Sequence, residues 1–335
     1  MPFTGDILRY KSVSIVGLEK NTGKTECLSY ILKQLRDSSK KLAVTSVGID
    51  GESVDQVTST HKPEIELYNG VIFATSEKHF RSRQLDAEIL DVSERRTALG
   101  RLITARAKST GKVIFSGPPD SLWLGQTINK MVDYQVDTTI VDGAISRMSL
   151  GSPAVTESMI LTTGAAVSAN IATLVSKTKF VFTLTQTERL DSPVNEHLLQ
   201  LTGGIYTLDH DWNITDLNIP SVFLLGKKRE KLNGSGKFIY VTGVVTDGLI
   251  NFLRVQKNIG ETTLVVRDFT RLFVSREAYR AFIASGGKIR VLLRTRLLAV
   301  CVNPVSPEGI TLNSDKLCSV MSESLGIPVY DVKKL

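Results

Sequence analysis

Three cysteines in 335 residues are too few and too scattered to staple a fold. Cys27, Cys301 and Cys318 form no CxxC pair, which speaks against a structural zinc site and suits free thiols in a reducing compartment. Long apolar runs are also missing. The longest, such as "SVFLLG" and "RLLAVCVNP", fall far short of the roughly 20 residues that span a membrane. The opening "MPFTGDILRY" has no basic stretch leading into an apolar core, so no secretory signal is read there and the cytoplasm is the expected location. His61, His79, His197 and His210 lack metal-ligand spacing and read as surface or packing residues. No serine lies in a GxSxG context, which leaves acyl transfer without support. No Arg/aromatic interleaving is present, so a nucleic-acid partner is not expected.

What remains is an ordinary globular composition, 42% hydrophobic and 22% charged, in a chain long enough for one large or two medium domains. Charge is unevenly spread along it. Residues 1–225 hold 23 Lys+Arg against 25 Asp+Glu, while residues 226–335 hold 18 against 9. The asymmetry predicts two modules, 1–232 and 233–335, the second smaller and basic. Its charge either faces an acidic partner or phosphate, or simply solubilises it. The expected boundary is the charged, Gly-rich "KKREKLNGSGK" near Asn233.

Val13 to Val16 reads as a short buried strand, and Thr25 to Arg36 as the helix after it, with Leu28, Ile31, Leu32 and Leu35 on one stripe. "KLAVTSVG" and "DTTIVD" are strands ending near Gly48 and Asp142. "RLITARAKSTGKVIF" predicts a hairpin about Ser109-Thr110-Gly111, with a helix through Arg106 as the alternative, and "SLWLGQTINKMVDYQ" predicts a helix. "ESMILTTGAAVSANIATLVSKTKFVFTL" predicts strand, turn, helix, strand. Beyond a β-rich connection, "KFIYVTG", "TTLVVRD", "KIRVLL" and "LLAVCVNP" are strand-like and alternate with helix-like stretches. Strands alternating with helices predict an α/β fold, a mainly parallel sheet flanked by helices, with a second smaller α/β domain.

Between the first strand and first helix, Gly17-Leu18-Glu19-Lys20-Asn21-Thr22-Gly23-Lys24-Thr25 satisfies GxxxxGK[ST] at every fixed position. Glycines let backbone wrap close to phosphate oxygens, so that the N–H groups of Asn21, Thr22 and Gly23 point inward. The following helix adds the positive end of its dipole. In this reading Lys24 reaches the β- and γ-phosphates and the Thr25 hydroxyl ligates Mg²⁺. Lys20 is either a further phosphate contact or an exposed loop lysine. Leu18 stands where one branch of such proteins carries an extra lysine that acts across a dimer, so that feature is absent.

A magnesium-nucleotide site also needs an acid at the end of a neighbouring strand. Asp142, delivered by "TTIVD", fits; it is otherwise a turn aspartate before Gly143. Asp50 is a second candidate, for the metal or for activating the attacking group, and reads equally as an Asp-Gly turn; Glu52 and Asp55 are weaker ones. "GPPD" follows a strand and is expected near the site, whereas Asn303, Pro304 and Pro307 in "CVNPVSPEG" read as an ordinary strand-ending turn in preference to a loop over a base or a domain interface. No NKxD motif decides between ATP and GTP.

Taken together, "VGLEKNTGKTE", "VTSVGIDGES", "VDGAISRMSLGSP", "ILTTGAAVS" and "NPVSPEG" resemble the ATPase-like subunit of the lysine 5,6-aminomutase reactivase, over about Ser12 to Val332. More distantly, the first half resembles the dethiobiotin synthetase and molybdopterin-guanine dinucleotide accessory-protein branch of P-loop proteins, in which the acid-Gly-Ala segment corresponds to Asp142-Gly143-Ala144. The first resemblance implies a chaperone-like ATPase that uses ATP and Mg²⁺ to release damaged cobalamin from an adenosylcobalamin-dependent aminomutase, together with a MutS-like second subunit. The second implies an ATP-dependent enzyme acting on a small-molecule carboxylate. A nucleotide-switched adaptor and homo-oligomerisation both remain open.

Overall fold

The computed structural model of the chain describes residues 2–48, 64–143, 152, 155–222 and 237–335. Asp50, Glu52, Asp55, His61, Ala144, nearly all of "SRMSLGSP" and the expected boundary at Asn233 lie outside those residues. Two compact units are present. One joins Met1–Lys179 to Arg296–Leu335, and the other is Phe180–Thr295.

The first unit opens with α1 (Thr4–Ile7), β1 (Ser12–Gly17), α2 (Lys24–Leu35), β2 (Leu42–Ser46), β3 (Ile65–Leu67), β4 (Ile72–Ser76) and α3 (Glu77–Arg81). It continues through β5 (Ala87–Thr97), β6 (Gly100–Ala107), β7 (Gly111–Val113), α4 (Ser121–Lys130), β8 (Thr138–Asp142), β9 (Ser158–Gly164) and the first part of α5 (Ile171–Thr185), within which the second unit begins at Phe180. In the second unit follow α6 (Asn195–Gln200), β10 (Ile205–Leu208), β11 (Ile214–Asp216), β12 (Phe238–Val241), β13 (Val245–Thr246) and α7 (Asp247–Arg254). Then come β14 (Thr263–Val266), β15 (Leu272–Phe273), α8 (Arg276–Ala284) and β16 (Lys288–Val291). The chain returns to the first unit with β17 (Leu297–Asn303), α9 (Ser314–Leu325) and β18 (Val329–Tyr330).

A nine-stranded sheet organises the first unit, in the order β18-β17-β9-β1-β8-β2-β4-β6-β5. Neighbours from β18 to β4 are parallel; β6 runs antiparallel to β4 and β5. The expected mainly parallel, helix-flanked sheet is therefore present. Its central strands are near-continuous apolar and small residues buried along their length, as strands covered on both faces must be. One face packs Val13, Ile15, Val44, Ile140 and Ile160 against Leu28, Ile31, Leu32 and Leu35 of α2, the stripe expected from the sequence. On the other face Ala43, Ile72, Ala74 and Leu102 pack against Trp123 of α4 and Met131 just beyond it. Asp120 accepts the Trp123 N–H at 2.8 Å and so caps α4.

The second unit holds its own five-stranded sheet, β11-β10-β12-β14-β16, in which β12, β14 and β16 are parallel. Leu190, Leu198, Leu208, Tyr240, Val265 and Leu292 form its core cluster.

Three expectations need correction. The split into 1–232 and 233–335 does not match the compact units, because β17, α9 and β18 belong with the first sheet, β17 pairing with β9 over Leu297–Asn303. "KFVFTL" is the end of α5 rather than a strand. No Gly or Pro interrupts the helix, and Leu174, Val175, Thr178 and Thr185 are buried at helical spacing. The two β-like runs about Ser109-Thr110-Gly111 form no hairpin, since β6 pairs with β4 and β5 while β7 pairs with β3.

Candidate functional site

Because β1, β8, β9 and β17 are parallel, their carboxyl ends share one edge of the sheet, where ligands of open α/β sheets bind. Gly17 lies beside Thr162 on β9, Ile15 beside Asp142 on β8, and Asn303 of β17 beside Gly164. The loop from Gly17 to Thr25 therefore opens at the centre of that edge. Gly23, at φ 91°, and Asn21, at φ 59°, both take left-handed backbone, a conformation that glycine adopts without strain and asparagine tolerates. Gly23 precedes α2 and no side chain caps the helix there, so the first-turn N–H groups face the loop rather than a cap. Cys27 N–H closes the first turn onto the Gly23 carbonyl at 2.9 Å.

The loop is held from two neighbouring strands. Leu18 N–H donates to the Thr162 carbonyl at 3.0 Å, and the hydroxyls of Thr22 and Thr162 are also 3.0 Å apart. Asn303 Nδ2 donates to the Asn21 carbonyl at 3.0 Å, while its Oδ1 accepts the Val305 N–H at 3.2 Å. A Cβ on Gly23 would stand 2.9 Å from the Asn303 Cβ, so this position needs glycine for space as well as for conformation. Asn303 is thus more than the expected strand-ending turn, and Thr162 is a loop contact that the sequence did not suggest.

Lys24 folds back over the start of the loop. A Cβ on Gly17 would lie 3.1 Å from Lys24 Nζ, 3.0 Å from the Glu19 carbonyl oxygen and against the Thr22 hydroxyl. Burial pushes the Lys24 ammonium below its ordinary pKa; the Asp142 carboxylate works against that fall and Lys20 adds to it. Lys24, Asp142 and Lys20 are thereby brought into one electrostatic neighbourhood. Thr25 lies half-buried in the first turn of α2. Asp50 cannot be placed beside them, as it lies outside the described residues.

The "GPPD" segment meets the same edge. Gly48 N–H donates to the Pro118 carbonyl at 2.9 Å and Val47 N–H to the Asp142 carbonyl at 3.2 Å. A Cβ on Gly117 would collide with the Ser46 carbonyl, which is why the chain can run so close to β2 only at a glycine. His79 is buried, with Nδ1 2.8 Å from the Ser116 hydroxyl. Among the described residues no group of three or more His, Cys, Asp or Glu is arranged to hold a metal ion, and no helix is long and apolar enough to cross a membrane. The three cysteines are free, with Cys27 and Cys301 buried and their sulfurs 3.8 Å apart.

A polyanion suits these residues. Glycine at 17 lets the Thr22 hydroxyl, the Glu19 carbonyl and the Lys24 ammonium close on its Cα, and the loop they shape ends at an uncapped helix N-terminus. Thr25 and Asp142 are both oxygen donors of the kind magnesium takes, with water completing its shell. No protein-family model matches the chain, and no curated protein matches it.

Proposed function

We propose that the chain is a P-loop protein that binds ATP with Mg²⁺ at the Gly17–Thr25 loop and hydrolyses it as a chaperone-like reactivase subunit. The observation that carries the nucleotide reading is the return of Lys24 over Gly17, within the field of Asp142 on the adjoining strand. Loop N–H groups and Lys24 would bind the phosphates, Thr25 and Asp142 would hold Mg²⁺, and Asn21 and Gly23 would keep the loop open. ATP with Mg²⁺ supplies a transferable phosphoryl group and the charge that neutralises it. Burial then explains why Lys24 waits for an anion: its charge is poorly solvated until phosphate replaces the lost water.

The reactivase part rests on the sequence resemblance. A tightly held cobalamin leaves only when a weak-binding state of its enzyme is populated, and nucleotide turnover can supply that bias. Partners in this reading are a MutS-like second subunit and a cobalamin-dependent aminomutase, in the cytoplasm. A second reading, an ATP-dependent enzyme acting on a small carboxylate, is favoured by the "GPPD" segment, since its contact with Gly48 puts a loop beside Asp142 where a substrate wall would stand.

Calorimetry with ATP and Mg²⁺, followed by phosphate-release assays, tests both. Micromolar capture of ATP and slow hydrolysis accelerated by the aminomutase and second subunit support the reactivase. Hydrolysis that depends on a metabolite, with a phosphorylated or cyclised product, supports the alternative. Asp142→Asn is expected to move the Mg²⁺ titration more than the ATP affinity; equal Mg²⁺ titrations for variant and parent contradict its assignment. If the parent captures no purine triphosphate, the nucleotide reading falls.

A further inference from the structure

Thr162 is a buried hydroxyl on β9, preceded by the apolar Met159, Ile160 and Leu161 and followed by Thr163, whose own buried hydroxyl is 3.0 Å from that of Thr178. Valine would fill the same volume and suit a buried strand, so the hydroxyl calls for an explanation. Thr162 Oγ1 is 3.0 Å from Thr22 Oγ1, and Thr22 Oγ1 is itself 3.0 Å from the Glu19 carbonyl oxygen. Both threonines are fully buried.

Proton bookkeeping gives this chain a direction. A carbonyl only accepts, so the single Thr22 proton goes to Glu19, and the contact between the two hydroxyls must be Thr162 donating to Thr22. In a planar trans peptide the C=O and N–H point opposite ways. Fixing the Glu19 carbonyl on the Thr22 side therefore turns the Lys20 N–H to the other side. We propose that Thr162 and Thr22 form a hydroxyl relay that sets the Glu19–Lys20 peptide, and that Thr162 is a positioning residue that holds the loop in its phosphate-binding shape before ligand arrives. The relay reaches the loop from β9, 140 residues away in sequence. Its part in binding rests on the nucleotide reading above; its geometry does not.

The test uses the full chain as Thr162→Val, Thr162→Ser, Thr22→Val and the Thr22→Val/Thr162→Val double variant. Three readouts are taken: the Lys20 amide resonance in protein labelled with ¹⁵N-lysine, ATP affinity in Mg²⁺ by calorimetry, and the melting temperature. Each valine variant is expected to displace the Lys20 resonance and to weaken ATP by roughly tenfold, the scale of one buried hydrogen bond. Thr162→Ser keeps both at parent values. The double variant is no weaker than either single one, because one relay is broken only once. The relay is overturned if Thr162→Val leaves the resonance or the affinity unchanged, if serine fails to restore them, if the two losses multiply, or if only the melting temperature falls. A parent that binds ATP while Thr162→Val binds equally well sinks the relay alone. A parent that binds none sinks the nucleotide reading, and the relay's part in it, whatever the resonance does.

Discussion

Gly17→Ala places one methyl group where the site can least accommodate it. The new Cβ would stand 3.0 Å from the Glu19 carbonyl oxygen, 3.1 Å from Lys24 Nζ and against the Thr22 hydroxyl. Ordinary contact begins at about 3.5 Å, so all three neighbours are crowded. They differ in what they can do about it. Glu19 offers backbone, and Thr22 is tied to both Glu19 and Thr162, whereas Lys24 is the end of a flexible chain. The Thr22 hydroxyl, much the nearest of the three, has to move and takes the loop with it, and the ammonium shifts as well. Overpacking of this kind costs about 1–3 kcal/mol, and in a unit of this size each kcal/mol lowers Tm by about 2–4 °C. A fall of about 2–12 °C is expected. A displaced Lys24 also forfeits charge-assisted bonding to phosphate of about 1.5–3 kcal/mol, which weakens ATP by about 10- to 150-fold. Calorimetry and thermal melts measure the two effects separately. Gly125→Ala on α4 is the control. Its Cβ meets nothing within 4 Å, so affinity should hold while stability rises by about 0.5–1 kcal/mol. If Gly17→Ala binds ATP within twofold of the parent and melts with it, the packing argument is refuted.

Lys24→Met should abolish ATP binding yet raise the melting temperature of the ligand-free protein, because burial outweighs the pull of Asp142 on the ammonium. The pH dependence has a definite sign. A lysine held below 10.5 in the folded state weighs against folding at neutral pH, and that burden is lifted as pH climbs through its lowered pKa towards 10.5. The gap in melting temperature between variant and parent should narrow over that interval, and a methionine variant that melts lower at pH 7 contradicts the reasoning. In the second unit, burial pushes the Tyr240 hydroxyl up to about 12, although Arg267 and Arg271 pull it down. The unfolded chain then ionises this tyrosine first, so stability should drop between pH 10 and 12. Absorbance titration near 295 nm should lose one late-titrating tyrosine in Tyr240→Phe; an unchanged titration curve would exclude the assignment.

Local features were legible and distant ones were not. The strand, loop and helix from Ser12 to Leu35 follow from a short apolar run, two glycines and a 3.6-residue stripe, all within 24 residues. Asp142 was legible for a related reason, since an apolar run ending in an acid delivers that acid to a strand's carboxyl end wherever the strand sits. The end of α5 misled because Phe180, Val181 and Phe182 favour strands in isolation, and the helix already under way overrode that preference. The domain boundary misled for a deeper reason. Composition marks where a charged, Gly-rich stretch falls in the sequence, but pairing decides which sheet a strand joins. "LLAVCVNP" reads the same whether its neighbour is β16 or β9.

The same distinction separates the parts of the candidate site. In the nucleotide reading proposed above, the motif fits into nine consecutive residues because its donors would be backbone N–H groups, whose direction depends on local φ and ψ. Holding that backbone still is a different task, and it falls to whichever strands lie alongside. Here those are β9 and β17, through Thr162 and Asn303, which stand 140 and 282 residues from their partners in the loop. The segment "ILTTGAAVS" enters the resemblance without giving Thr162 a role, and the register that sets it beside Gly17 is what brings its hydroxyl to the loop. Donor identity is thus encoded locally while donor rigidity is encoded by topology. A chain carrying the Gly17–Thr25 sequence without β9 and β17 beside it would keep the motif and lose the preformed loop.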